Sequence, residues 1–239
     1  MEERRILIGN PVSKGVAKAE AYHYEPLLLN VEERYFKPGK ETAYWKAFLC
    51  AREKAKNELQ ELEEKVSVSD EKAAAVFAFH REILEDEDLI DEIQTAILRD
   101  CMYPELAIES CFGQYIANYQ QAEDLLVVRH AMDMYDVKHR LLRNYLGKVE
   151  RSLSQLEKDV IVVAENLLPS DIATIDMKHI KGIILEKNVS NSHAAVIARV
   201  YEIPMINGVE NAREVITDGA MISMDAVTGK VLVFSDAEE

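Results

Sequence analysis

Two hydrophobic rhythms divide the chain. From about Glu41 to Leu146 apolar side chains recur at helical spacing, and Gly and Pro are scarce. Tyr44–Val66 carries Leu49, Leu59, Leu62 and Val66 on an Ala-, Glu- and Lys-rich background. Ser69-Asp70-Glu71 offers capping side chains ahead of a helix over Lys72–Leu84. Asp88–Leu98 continues the pattern with Leu89, Ile90, Ile93 and Ile97. Pro104 suits the first turn of a further helix running to about Gln121. Glu123–Tyr145 supplies the last long helix, and Gly147 stands where a helix end favours a left-handed residue. These segments predict an antiparallel helical bundle.

The remainder alternates short β-rich runs with short helices. Strands are predicted at Ile6–Ile8, Val16–Tyr24, Val160–Ala164 and Gly182–Leu185, with a short helix over Ser170–Ile175. Pro204–Ile206 leads to a short segment around Val209–Val215. Ala220–Met224 and Lys230–Phe234 then flank a turn containing Thr228-Gly229, a hairpin signal. The first two strands have no other sheet near them in sequence, so they are assigned to the same domain as the later ones. The predicted fold is therefore α/β plus all-α. A discontinuous α/β domain, residues 1–40 and 147–239, carries the helical domain, residues 41–146, as an insertion.

Composition narrows the function classes. With 43 acidic against 28 basic residues the net charge is −15, which argues against nucleic-acid binding and favours a basic protein partner. No apolar run approaches a membrane span, and Met1-Glu2-Glu3-Arg4-Arg5 is not a signal peptide, so no membrane association and a cytoplasmic location are expected. Cys50, Cys101 and Cys111 form no CxxC pair and read as reduced thiols.

The candidate chemistry lies in Ser192-His193-Ala194-Ala195-Val196-Ile197-Ala198-Arg199. Ala194, Ile197, Ala198 and Tyr201 fall at i, i+3, i+4 and i+7, a stripe able to pack on a core, and Pro204 closes the helix. His193 would then open a helix whose N-terminus favours anions. A histidine there can carry a phosphoryl group beside prepared N–H donors. The spacing alone is equally satisfied by a helix-start histidine that merely packs.

The same stretch, followed by Glu202-Ile203-Pro204, resembles the phosphohistidine signature of the enzyme I family, the phosphoenolpyruvate-protein phosphotransferases of the bacterial sugar phosphotransferase system. Further blocks follow in family order. Gly9-Asn10-Pro11-Val12-Ser13-Lys14-Gly15 is similar to the family's opening, and Ala75-Val76-Phe77-Ala78-Phe79-His80 with Ile83-Leu84-Glu85-Asp86 is similar to its Ala-Ile-Phe-x-x-His-x-x-Leu-Leu-x-Asp segment. Arg129 through Val137 resembles an Arg-Ala-x-Asp-x-x-Asp segment shifted locally by one residue. Leu141–Gly147 and Val162–Asp171 complete a match that covers essentially the whole chain.

The resemblance implies a swivelling phosphohistidine domain with an inserted helical domain that binds HPr, the small phosphocarrier protein. It implies that His193 accepts the phosphoryl group on its outer ring nitrogen, with Ser192 as a cap or phosphate donor and Arg199 supporting the loop or partner contacts. His80, Glu82, Glu85, Asp86, Glu87 and Arg129 become candidate HPr contacts. No cofactor is expected in this chain. Mg²⁺ is implied only for the full-length enzyme, whose C-terminal phosphoenolpyruvate-binding domain is a second expected partner. A barrel of some 250 residues has no room here, so the fragment is expected not to use phosphoenolpyruvate alone. A non-catalytic carrier-docking module and the enzyme I-like domain of a dihydroxyacetone-kinase phosphotransfer system are the alternatives. Two positions depart from the family: Asn188-Val189-Ser190-Asn191 replaces a Gly-Gly-x-Thr run, and Leu168 stands where a threonine is usual. The remaining histidines, His23, His130, His139 and His179, read as structural or surface, and Lys138-His139-Arg140 as a solvated basic face.

Overall fold

The structure is a computed structural model and describes residues 5–25, 29–67, 71–148, 153, 156–175, 177–188 and 193–234. The chain forms two compact units, Leu28–Glu150 and the pair Met1–Leu27 with Arg151–Glu239.

The first unit is helical: α1 (Glu41–Ser67), α2 (Glu71–Glu85), α3 (Glu87–Leu98), α4 (Pro104–Gln120) and α5 (Leu125–Leu146). The apolar spacing becomes a shared core of Phe48, Leu59, Leu84, Leu89, Ile93, Ile97, Ile108, Phe112 and Leu141. Asp86 separates α2 from α3 by capping the latter, accepting from the Leu89 N–H at 2.8 Å. Pro104 occupies the first turn of α4. Gly147 ends α5 with φ of 62°, the left-handed value that favours glycine. The Ser69-Asp70 cap lies outside the described residues.

Residues 29–40 lie with the helices, not with the sheet as the domain limits read from sequence had them. The cause is an aromatic strap. Phe36 packs on Tyr44 and Tyr103 at centroid distances of 4.6 and 5.7 Å, and its N–H donates to Cys101 O at 2.8 Å. Arg34 reaches the buried Glu105 at 3.0 Å. Lys138, His139 and Arg140 are also corrected: all three are buried. Lys138 pairs with Glu109 at 2.7 Å, and Arg140 and Arg143 share Glu58. Long basic side chains on α5 are thus drawn inward by carboxylates on α1 and α4.

The second unit is a sheet of β1 (Arg5–Ile8), β2 (Asn10–Ser13), β3 (Val16–Tyr24), β4 (Val160–Ala164), β5 (Ile180–Leu185), β6 (Met205–Asn207), β7 (Met221–Asp225) and β8 (Lys230–Val233). Three short helices accompany it, α6 (Pro169–Ala173), α7 (His193–Val200) and α8 (Ala212–Val215). The strand order is β1-β8-β7-β3-β4-β5-β6-β2. β3 to β6 run parallel, and the outer pairings are antiparallel. Both faces are covered, which explains the unbroken apolar run of β4. Val160, Val162 and Ala164 join one core with Ile172, Ala194, Ala195 and Ala198, whereas Ile161 and Val163 join the other with Ala212, Ile222 and Val231.

β1 and β2 sit at opposite ends of the strand order yet are separated by Gly9 alone. The backbone there changes partner from β8 to β6. A Cβ on Gly9 would lie 2.5 Å from Val209 Cγ2 and 2.6 Å from Asn207 O, so only glycine fits the crossing. The β2 strand was not foreseen; Pro11 within it masks the signal, and Pro suits an edge position of this kind.

Candidate functional site

His193 is the first residue of α7. Its backbone is set by the residues that come after it. Ala194, Ala195 and Ala198 are buried in the core beneath, and Ile197 packs partly against it. Tyr201, expected on the same stripe, is instead exposed, as are Val196 and Val200. The helix is pinned at its far end by β2: Arg199 Nε donates to Val12 O at 3.0 Å, and Ser13 Oγ donates to Ala198 O at 3.1 Å. Arg199 thus ties α7 to the sheet through backbone, nearly two turns beyond His193. A turn with Glu202 at φ 54° then leads to Pro204, where Gly15 fits closely: a Cβ there would meet Pro204 Cγ at 2.7 Å. The side chain of His193 and the whole of Ser192 lie outside the described residues.

α6 packs beside α7. Its start is organised by Asp171, a buried carboxylate that accepts from the Leu168 N–H at 2.8 Å and from the Tyr24 hydroxyl at 2.6 Å. Leu168 itself is buried, and its neighbour Leu167 joins the core that receives Ala194 and Ala195. An apolar side chain therefore fills the place of the family threonine. Neither Tyr24 nor Asp171 was singled out in sequence; the tyrosine closing a strand and the aspartate two residues after Pro169 were the only signals.

On the helical unit, Glu82, Glu85, Asp86 and Glu87 are exposed around the α2–α3 corner. Lys56, hydrogen-bonded and ion-paired to Glu85 at 2.6 Å, holds that carboxyl below the usual glutamate range. Along α3 and α4 the negative field continues. Asp88, Asp91, Glu92 and Asp100 wall a groove of about 590 Å³ floored by Ala96, Cys111 and Tyr115. Burial, with Glu92, Asp86 and Asp88 nearby, pushes the Tyr115 hydroxyl up to about 12, and burial with Glu92 pushes the Cys111 thiol up to about 11.

His80 is not part of that surface. Its ring is 0% exposed, turned into the α2–α5 contact, where Nε2 lies 3.1 Å from Asp133 Oδ1 and Nδ1 4.0 Å from Asp136 Oδ2. The expected partner contact is thereby corrected, because α2 presents its acidic residues outward and His80 inward. Asp133 also meets the half-exposed His130 at 3.4 Å, and Phe79 packs against that ring at a tilt, with centroids 4.8 Å apart. Arg129 lies on α5, its side chain outside the described residues. Among the described residues no group of three His, Cys, Asp or Glu side chains is arranged to hold a metal ion. No described helix is long and apolar enough to cross a membrane.

Residues 8–129 match the family described as PEP-utilising enzyme, N-terminal, and residues 156–229 match PEP-utilising enzyme, mobile domain. The chain is 31% identical over 237 residues to a phosphoenolpyruvate-protein phosphotransferase of Lactococcus lactis, covering 98% of this chain and 41% of that protein. It is 30% identical to that of Mycoplasma genitalium, covering 94% of this chain and 39% of that protein. The chain thus spans about two fifths of the length of the curated relatives it matches. A solution structure of enzyme I superposes with a TM-score of 0.81 at 26% identity, covering 98% of this chain and 94% of that one. The N-terminal domain of a second enzyme I, described as Enzyme 1 - Nitrogen, shares the fold at TM-score 0.64 and 21% identity, over 95% of this chain and 93% of that one. With a sheet-bearing mobile domain interrupted by a helical one, both matched along the sequence, the chain belongs to the phosphoenolpyruvate-utilising enzymes and corresponds to the N-terminal half of enzyme I.

Proposed function

We propose that this chain relays a phosphoryl group through His193 and exchanges it with the histidine of an HPr-like phosphocarrier. One observation carries the reading: His193 opens α7, an eight-residue helix seated on its alanine face within the stretch that matches the mobile domain. The first N–H groups of a helix point past its N-terminal end, and its dipole favours an anion there. A phosphoryl group attached to a residue at that end is met by fixed dipoles that need no reorganisation.

Transfer is in line. The bond from phosphorus to the carrier's imidazole nitrogen breaks as the bond to the His193 ring nitrogen forms, and the proton that the His193 ring gives up to solvent balances the one that the carrier imidazole takes up. Positioning and charge stabilisation do most of the work in such a step. Ser192 would cap the helix or donate to the phosphate. The exposed Glu82, Glu85, Asp86 and Glu87, with Arg129, would receive the carrier, the acidic residues steering a basic face more than tightening its hold. Phosphoenolpyruvate and Mg²⁺ would be handled by a C-terminal partner domain.

Incubating the chain with phospho-HPr and measuring intact mass tests the relay. The expected result is an acid-labile phosphoryl adduct on the native chain and none on His193→Ala. A native chain that binds HPr and takes no label would overturn the relay and leave a docking module.

A further inference from the structure

We infer that Ser13 is a positioning residue for phosphoryl transfer, fixing the rotation and axial place of α7, the helix that His193 opens; the inference rests on the reading of His193 as phosphoryl acceptor. β2 pairs with β6 out of step. Asn10 lies opposite Asn207 and Pro11 opposite Ile206, but Ser13, not Val12, lies opposite Met205. Val12 is thus the extra residue of a β-bulge. A slip of one residue decides which face of a sheet a side chain takes, and bulges re-aim side chains beside functional sites. Met205 is buried in the core on which α7 sits, so the residue opposite it is turned toward that helix. The bulge gives that place to Ser13, which is 5% exposed.

Both residues of the bulge hold α7. Ser13 Oγ donates to Ala198 O at 3.1 Å, and Val12 O accepts from Arg199 Nε at 3.0 Å. The Arg199 bond is open to solvent and the Ser13 bond is buried, which makes the serine the firmer of the two. Its partner carbonyl lies 185 residues further along the chain.

Ala194, Ala195 and Ala198, buried beneath α7, settle how closely the helix lies on the core. Side chains of one carbon raise only low ridges, and interlocked ridges are what keep a packed helix from turning or sliding. Among the described residues, the directional bonds from β2 supply that resistance. α7 has eight residues, and about 7.5 Å of helix separates His193 from Ala198. Over so short a rod, a turn or slide at Ala198 reaches the backbone of His193 undiminished. Ala198 O also accepts from the Ile203 N–H at 2.8 Å. Removing the Ser13 hydroxyl therefore orphans no carbonyl, and it costs orientation more than stability.

The test uses the full chain and phospho-HPr, with Ser13→Ala and with Ser13→Thr, which restores a hydroxyl. Misplacement of a reacting group by about 1 Å can cost on the order of a hundredfold in rate. Ser13→Ala is expected to lower kcat for His193 labelling at least about tenfold. KM for phospho-HPr should hold, because the carrier's candidate docking residues lie on the helical unit, and the melting temperature should barely move. Ser13→Thr should recover part of the rate. Unchanged kcat in a folded Ser13→Ala chain overturns the inference, as does a loss that tracks the melting temperature or that a folded Ser13→Thr chain does not ease. A native chain that takes no label defeats the reading of His193 itself. The backbone amide resonances of Ala194 and Ala195 in native and Ser13→Ala chains then decide the placement of α7, displacement supporting the inference and coincidence overturning it.

Discussion

His80 shows how one side chain can be placed in the right segment and on the wrong side of it. Its helix and its neighbours Glu82, Glu85, Asp86 and Glu87 were legible in the sequence, but the ring belongs to the buried stripe between α2 and α5. Nothing local in the sequence joins His80 to Asp133, 53 residues away. That pairing arises only when two helices are laid together. Replacing His80 by Ala removes a packed ring and takes a donor from a buried carboxylate. The expected cost is about 3 kcal/mol of helical-unit stability, read from urea unfolding. A midpoint that stays put would show that the ring is neither packed nor bonded as described. The same reasoning explains Lys138, His139 and Arg140, where charge was read as exposure. The carboxylate partners of Lys138 and Arg140, on α4 and α1, are far away in sequence. At His193 the sequence was more informative than the geometry, because a motif at the start of a helix is a local pattern.

Elements with a strong local period were the most legible. The long helices of the first unit and the strands β3, β4, β5, β7 and β8 follow from spacing and turn residues, since their patterns are written within ten or twenty residues. β2 was not, because a change of partner strand cannot be seen in Asn10-Pro11-Val12-Ser13. Gly9 is the hinge of that change. Gly9→Ala is expected to cost roughly 3 kcal/mol by overpacking against Val209 and Asn207. Gly113 is the opposite case: it lies inside α4, and a Cβ there meets nothing within 4 Å. Gly113→Ala should stabilise the helical unit by about 0.5–1 kcal/mol. Thermal melts of the two variants side by side check both, and equal shifts would contradict the assigned environments.

At the scale of the whole molecule, the two units keep separate cores, one among the helices and the other in two layers around a sheet. Residues 28–150 made alone are expected to be helical by circular dichroism and to melt cooperatively, whereas a broad, unstructured spectrum would mean that the insertion depends on its host. The host has no such independence along the chain. The strand from Arg5 to Ser13 finds its partners at 205–207 and 230–233. On a ribosome those nine residues emerge well ahead of their partners and wait unpaired until residues 205–207 and 230–233 have left the tunnel. The helical insert, whose packed helices all lie within residues 28–150, can be finished long before. Order of synthesis and order of assembly are thus reversed in the sheet, and a chain cut short before β8 would leave its first strand with no neighbour on one half of its length.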